Sequence, residues 1–150
     1  MNDLSVKIKK IRSSAILPEY QTAGAAGMDL HACINQPVTL KPMQRFMVPT
    51  GIAVELPLGY ELQIRGRSSF GAKFGVTMAN GVGTIDADYR GEISAVLINL
   101  GADDFVIEPD MRVAQAIVAK HEHVIWSEVA ELGETDRGAG GFGSTGISVK

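Results

Sequence analysis

Two carboxylates in a glycine-rich segment are well placed to activate a water molecule. Asp86 and Asp88 lie two positions apart within residues 80–92, where Asn80-Gly81 predicts a tight hairpin. Side chains two positions apart in an extended segment leave the same face. The pair could therefore orient or deprotonate a water, or hold Mg²⁺ through its waters. A polar turn is the alternative, which four charged groups and a tyrosine within seven residues make less attractive.

A second group of side chains is suited to binding an anion. Arg67-Ser68-Ser69 follows a strongly alternating segment and precedes a short predicted helix, so it offers a guanidinium, hydroxyls and free backbone N–H groups. The alternative is an exposed arginine followed by a serine that caps the helix. Arg112-Val113-Ala114-Gln115 adds an arginine and an amide at the start of a later strand.

An isolated acidic residue and a glycine-rich tail complete the candidates. Asp29 enters a strand between apolar neighbours, where it either caps a turn or belongs to a metal or water network. Residues 137–146 contain five glycines, Arg137 and Phe142. Glycines let backbone N–H groups approach phosphates, the guanidinium can bind them and the ring can stack. The segment suits a flap that closes over a nucleotide, and a mobile solvated tail is the alternative.

The remaining side chains that could react or bind a metal lack the partner residues such chemistry needs. His121-Glu122-His123 has no third ligand motif nearby, so a solvated turn is the better interpretation. The single Cys33 cannot form an internal disulfide and has no nucleophile context. We therefore expect a reducing, cytoplasmic compartment.

The composition predicts one soluble globular domain. The chain has 150 residues, a hydrophobic content of 45% and a net charge of −3. This charge argues against bulk binding of nucleic acid or of a membrane surface. No apolar run approaches the length of a membrane span, and residues 1–4 lack a signal-peptide profile.

Period-two alternation of apolar residues predicts the elements that position these groups. Residues 68–74 are the only candidate helix. Short strands separated by turns predict an all-β fold, a jelly-roll-like barrel or sandwich. We expect residues 1–132 to form its body and residues 133–150 a mobile tail. The predicted strands are Val6–Ile8, Met28–Ala32, Phe46–Val48, 52–56, 60–65, Ile93–Leu100, Phe105–Ile107, Val113–Ala119 and Val124–Trp126.

Taken in order, five segments closely resemble the five motifs of the trimeric dUTPase (deoxyuridine triphosphate pyrophosphatase) family. They are residues 26–30, 66–69, 83–91, 112–115 and 137–144. The resemblance implies a homotrimer whose active sites are shared between subunits. It also implies Mg²⁺-assisted hydrolysis of dUTP to dUMP and pyrophosphate, which lowers dUTP and supplies dUMP for thymidylate synthesis.

The resemblance also implies a role for individual residues. The Asp86 carboxylate activates the water that attacks the α-phosphorus. Asp29 steadies the water shell of a Mg²⁺ that the substrate phosphates hold. The residues implied to hold phosphates are Arg67, Ser68, Ser69 and Gln115, of which Arg67 and Gln115 are also counted as catalytic.

Further implied roles concern the nucleoside and the tail. Tyr89 packs under the deoxyribose, and Ser94 contacts the base through its backbone. The residues implied to line the uracil slot are Asn80, Gly83, Thr84 and Ile85. The residues implied to close the site are Arg137, Phe142, Gly143 and Ser144, with Phe142 over the base and Arg137 and Ser144 toward the terminal phosphate.

Two other functions compete with this interpretation. A deoxycytidine triphosphate deaminase has a similar fold and phosphate cradle, but it would need a catalytic glutamate by the base and would lack the stacking tail. A non-catalytic module could use the nucleotide pocket as a switch for a protein partner. The run from Gly81 to Asp86 favours hydrolysis over deamination.

Overall fold

Short antiparallel strands make up most of the regular secondary structure in this computed structural model, which describes residues 4–142. In chain order the strands are β1 Lys7–Lys10, β2 Met28–His31, β3 Val38–Leu40, β4 Arg45–Pro49, β5 Ile52–Glu55, β6 Tyr60–Arg65, β7 Val76–Met78, β8 Gly83–Ile85, β9 Ser94–Asn99, β10 Phe105–Ile107 and β11 Arg112–Lys120. The helix α1, Ser68–Phe74, lies between β6 and β7. Within residues 4–142 no helix has the length and apolar character that crossing a membrane requires.

The strands form one four-stranded, one three-stranded and two two-stranded sheets around a single apolar core. Their orders are β2-β11-β6-β8, β4-β9-β7, β1-β5 and β10-β3, and every pairing is antiparallel. In β9 buried and partly exposed residues alternate, as a half-buried strand requires. The largest fully buried side chains include Leu30, Ile64 and Leu97. This arrangement confirms the predicted all-β, jelly-roll-like fold.

Helix α1 has the predicted bounds but a different N-terminus. The N-cap residue is Arg67, in extended conformation and without a side-chain capping hydrogen bond, so the prediction of a serine cap is wrong. A cap at Ser68 would require the helix to begin at Ser69. The helix begins at Ser68 instead, so both serines lie in its first turn. Its last residue is Phe74, and its C-cap is Gly75, whose φ of 69° lies in the left-handed region.

One predicted strand is absent. Residues 121–129 of the described chain contain no strand, and Val124, Ile125 and Trp126 are 67%, 98% and 90% exposed. Alternation of apolar residues makes a strand only where a partner strand supplies hydrogen bonds and cover, and here the segment leaves the end of β11 without one. Conversely, β3, β7 and β8 were not predicted; three residues show a period of two only weakly, although β10, which has the same length, was predicted.

Candidate active site

A carboxylate held between two guanidinium groups lies at one end of the four-stranded sheet. Asp29 Oδ2 is 3.3 Å from Arg112 Nη1, and Asp29 Oδ1 is 3.8 Å from Arg67 Nη1. The Asp29 side chain is only 14% exposed. Arg67 also donates a hydrogen bond of 3.0 Å from Nη1 to the Arg112 carbonyl oxygen. The cluster therefore keeps an excess positive charge, and Asp29 restrains both guanidinium groups near one another.

Strand register explains why this cluster forms. β11 pairs with β2 on one side and β6 on the other, so Gln115 lies opposite both Asp29 and Arg65. Gln115 Nε2 donates a hydrogen bond of 3.1 Å to the Gly66 carbonyl oxygen. The amide thus fixes the segment between β6 and α1, from which the Arg67 side chain extends.

Helix α1 presents its two serines beside Arg67. The Phe70 ring packs against Phe105 with ring centroids 5.0 Å apart, and the Arg67 guanidinium carbon is 5.8 Å from the Phe70 centroid. Ser68 is exposed and Ser69 half-buried. The structure therefore brings Asp29, the predicted metal-water residue, close to the predicted phosphate-binding residues Arg67, Ser68, Ser69 and Gln115.

The segment that contains Asn80 forms a second group. The prediction of a tight hairpin there is wrong, because β7 pairs with β9 and β8 with β6, so the strands on either side of the turn belong to different sheets. β8 lies against β6 with Gly83, Thr84 and Ile85 opposite Ile64, Gln63 and Leu62. The Asn80 and Thr84 side chains are exposed, and Gly83 is buried. Ser94 begins β9 in the three-stranded sheet, opposite Pro49.

The turn after β8 holds the tyrosine and the two carboxylates. Tyr89 N–H donates to the Asp86 carbonyl at 3.2 Å, and the Tyr89 hydroxyl donates to the Glu92 carbonyl at 3.1 Å. A β-carbon on Gly91 would lie 2.9 Å from Cε2 of the tyrosine ring, so the ring would have to move if any other residue replaced this glycine. Asp86 and Asp88 are both exposed.

Within one chain, the two groups lie at opposite ends of β6. Ile85 is opposite Leu62, so Asp86 follows in the direction of Glu61. Arg67 lies beyond the other end of the same strand. Six residues separate Glu61 from Arg67, which at about 3.3 Å per residue is roughly 20 Å. The described chain therefore holds two separate groups of candidate residues, which we call half-sites. The cradle consists of Asp29, Arg67, Ser68, Ser69, Arg112 and Gln115, and the acidic hairpin is the name kept here for residues 80–92.

The end of the described chain contacts neither half-site through its hydrogen bonds. Gly138 N–H donates to Thr135, and Arg137 Nε donates to the Gly140 carbonyl at 2.8 Å, so these bonds stay within the segment. The Phe142 side chain is fully exposed. Gly143 and Ser144 lie outside the described residues.

Two residues near the cradle had no role assigned from sequence. Arg112 was noted as an arginine at the start of a strand, but no partner was predicted for it. Its pairing with Asp29 depends on the register of β2 and β11. His31 shares a face of β2 with Asp29, and its Nδ1 is buried without a hydrogen-bond partner among residues 4–142. Burial lowers the pKa of His31, an effect that the Asp29 carboxylate partly offsets. The imidazole is therefore neutral at pH 7.

A separate groove of about 580 Å³ lies on the side of the molecule formed by β1 and β5. Its walls are apolar and include Val6, Ile8, Met28, Val54 and Val118. None of the predicted site residues lines it. Size alone therefore does not locate the chemistry of this chain.

Comparison with known proteins identifies relatives over nearly the whole chain. The dUTPase family model matches residues 13–146. Two relatives are each 56% identical to this chain over 148 residues. They are the deoxyuridine 5'-triphosphate nucleotidohydrolases of Rickettsia akari (strain Hartford) and Rickettsia felis (strain ATCC VR-1525 / URRWXCal2). Each alignment covers 98% of this chain and 100% of the relative.

Solved structures show the same fold. A variant dUTPase of Staphylococcus bacteriophage 80alpha, solved with dUpNHpp, matches with a TM-score of 0.86 at 23% identity, over 95% of this chain and 99% of that chain. A variant of the dUTPase from phage phi11 of S. aureus matches with a TM-score of 0.77 at 20% identity, over 85% of this chain and 97% of that chain. The latter structure is described as revealing the coordination of a structural Mg(II) ion.

Proposed function

The chain belongs to the dUTPase family, and we propose on that basis that it hydrolyses dUTP to dUMP and pyrophosphate. The observation that best supports this is the guanidinium-rich cradle around Asp29, together with a hairpin that ends in an exposed carboxylate. In the cell this reaction would lower dUTP and supply dUMP for thymidylate synthesis. We place it in the cytoplasm, in keeping with a single cysteine in the chain.

The cradle would offset the charge of the triphosphate. A bound triphosphate carries about four negative charges, which repel an incoming nucleophile unless cations balance them. Arg67 and Arg112 supply two guanidinium groups that Asp29 holds in place. Ser68, Ser69 and the Gln115 amide add neutral hydrogen-bonding groups. The arrangement supports a role for the cradle in binding phosphates and in stabilising the pyrophosphate leaving group.

We further propose that Mg²⁺ assists the reaction while held mainly by the substrate phosphates. Within residues 4–142, no three His, Cys, Asp or Glu side chains converge as a metal site. A dedicated protein cage is not needed, since Mg²⁺ often binds through substrate phosphates and keeps several waters. Bound in this way the ion would neutralise charge that develops on the leaving group. Asp29 would contact its water shell while also orienting both arginines.

Asp86 would activate the attacking water. The carboxylate is exposed directly after β8, whose backbone is paired with β6. It can therefore approach a water in line with the α-phosphorus when the cradle and the hairpin meet. General-base catalysis needs only hydrogen-bond reach to that water.

The hairpin and Tyr89 would select the nucleoside. Thymine differs from uracil by one methyl group, and an apolar pocket discriminates such a group by only about 1–3 kcal/mol. A slot lined by Asn80 and the backbone of residues 83–85 leaves no room for the methyl. Its polar groups would be mispaired with cytosine, at a larger cost. The Tyr89 ring against the sugar would crowd a ribose 2′-hydroxyl.

The separation of the half-sites supports a shared site in a homotrimer. An Asp86 that lies roughly 20 Å from Arg67 in its own chain cannot activate a water on a phosphate that this Arg67 binds. The hairpin of a second copy would remove the difficulty if it lay against the cradle of the first. In a closed ring of three chains, each cradle would contact the hairpin of a neighbouring chain.

Substrate choice is the direct test of the proposed reaction. We expect the purified chain with Mg²⁺ to release pyrophosphate rapidly from dUTP and far more slowly from dTTP, dCTP and UTP, with loss of most activity in EDTA. Ammonia release from dCTP would instead identify a deaminase. Tight binding of dUTP without any product in an overnight assay would point to a non-catalytic switch, and either result would overturn the proposal.

Mixed oligomers test the shared site. We expect co-expressed Asp86→Asn and Arg67→Ala chains, each nearly inactive alone, to regain activity when they assemble together. In random one-to-one trimers, about one site in four combines an intact cradle with an intact hairpin from a neighbour. Mixtures as inactive as the two parents, with co-assembly shown by differently tagged chains, would place each site within a single chain.

A further inference from the structure

A partly buried carboxylate beside the hairpin is not used by the proposed reaction. We propose that Glu92 is a positioning residue, which anchors the turn carrying Asp86 and Tyr89 to the body of the domain. It thereby sets the discrimination between deoxyribose and ribose substrates. This inference rests on the proposed dUTP hydrolysis and extends it to a residue outside the predicted site.

The two oxygens of Glu92 bind two different parts of the molecule. Oε1 accepts a hydrogen bond of 2.8 Å from the Gly51 N–H, and Oε2 accepts one of 2.9 Å from Arg12 Nη2. The Glu92 side chain is 22% exposed and that of Arg12 47%. A carboxylate with both oxygens occupied has little freedom to rotate. It therefore fixes the backbone from which it extends.

The turn at Gly51, which donates a hydrogen bond to Glu92, is closely packed. Gly51 has a φ of 70°, and a β-carbon there would lie 2.7 Å from Ala15 Cβ and 2.8 Å from Cys33 Sγ. The next residue along the chain is held at the same place, because the Ile93 N–H donates to the Ile52 carbonyl at 2.8 Å. The carboxylate thus links the end of the hairpin to a close-packed part of the core.

The other side of Glu92 contacts the proposed sugar platform. Its carbonyl oxygen accepts the Tyr89 hydroxyl at 3.1 Å, and the adjacent Gly91 leaves space for the ring. Tyr89 N–H in turn closes the turn on the Asp86 carbonyl. A shift of the Glu92 backbone would therefore tilt the Tyr89 ring first and the Asp86 side chain second. The ring lies against the sugar in the proposed complex, so discrimination against the 2′-hydroxyl is the property most sensitive to Glu92.

A purely structural role would give a different result. An ion pair that is largely exposed contributes little stability, and its loss changes no active-site geometry. The pair between Lys7 and Glu55, 2.7 Å apart on β1 and β5, is such a case and serves as a matched control. Lys7→Ala removes an ion pair and no hydrogen bond of residues 80–92, although both partners lie near Arg90 of that segment.

The test compares Glu92→Ala, Glu92→Gln and Lys7→Ala in the full-length protein. For each we measure kcat and KM with dUTP and UTP, together with the melting temperature and the oligomeric state. We expect Glu92→Ala to lower the dUTP/UTP ratio of kcat/KM by about tenfold. Glu92→Gln keeps an oxygen for the Gly51 N–H and should recover most of the ratio. Lys7→Ala should leave it unchanged.

A double-mutant cycle locates the effect. If Glu92 acts through the phenol, the selectivity losses of Glu92→Ala and Tyr89→Phe will not add in the double variant. Should Glu92→Ala misfold, Arg12→Gln tests the same anchor, because it removes one partner of the carboxylate and leaves Gly51 in place. We then expect a smaller loss of selectivity.

The outcomes separate this inference from the proposed function. A wild-type protein inactive on dUTP would overturn the proposed function. A wild-type protein that hydrolyses dUTP, with Glu92→Ala and Arg12→Gln variants whose dUTP/UTP ratio is unchanged, would overturn only the positioning role.

Discussion

Replacement of Asp86 by Asn is expected to lower the turnover of dUTP by about a thousandfold and to leave its binding nearly unchanged. Asparagine has almost the same size as aspartate, so the turn closed by Tyr89 and Asp86 backbone atoms is preserved. The amide cannot take a proton from water, and the loss should therefore appear in kcat rather than in KM. Initial rates of pyrophosphate release and calorimetric titration with a non-hydrolysable dUTP analogue measure the two quantities.

Asp88 provides a matched control for that prediction. It is exposed in the same turn, two residues further on, and its replacement by Asn removes the same charge. We expect only a small loss in the Asp88→Asn variant. If Asp88→Asn loses more turnover than Asp86→Asn, the roles of the two carboxylates must be exchanged.

Removal of residues 137–150 is expected to leave the fold and the oligomeric state intact while lowering kcat by at least about a hundredfold. The hydrogen bonds found for residues 135–140 stay within the tail, and Phe142 is fully exposed, so we expect the body to keep its fold when the tail is removed. In the proposed complex, however, the site would lose the Arg137 guanidinium near the phosphates and the Phe142 ring over the base. Melting temperature, sedimentation and steady-state kinetics measure these three consequences.

Smaller changes separate the contributions of the tail. Arg137→Ala should lower kcat, because its positive charge would act on the developing pyrophosphate. Phe142→Ala should mainly raise KM for dUTP, because stacking on the base strengthens binding of substrate and transition state alike. Deletion of residues 147–150 alone is the control, because it leaves intact residues 137–144, the segment that resembles the fifth motif of the dUTPase family. Normal turnover by the chain without residues 137–150 would show that the tail does not close over the site.

The arginines beside Asp29 give this carboxylate a second role. Each of its oxygens faces a guanidinium group, at 3.3 and 3.8 Å. An aspartate in this position keeps two cations close together that would otherwise repel each other. If the cradle binds phosphates as proposed, these contacts would order it beforehand and reduce the cost of ordering it on binding.

Local patterns in the sequence determined much of this protein. Alternation of apolar and polar residues predicted β6, β9 and β11, because a strand with one buried face repeats every two residues. Residue types and their order singled out Arg67, Asp86 and Tyr89. The family of the chain could be recognised in the same way, since its motifs are short and contiguous.

Only the tertiary structure decided how those segments meet. The contact of Asp29 with Arg112 joins residues 83 apart, and that of Glu92 with Gly51 joins residues 41 apart, both through strand register that no local pattern encodes. Register also places Asp86 and Arg67 at opposite ends of β6. Val124–Trp126 has the alternation of a strand but no neighbour to pair with in the described chain. A strand and a site are properties of contacts between distant segments, whereas the sequence directly specifies only the preferences of each segment alone.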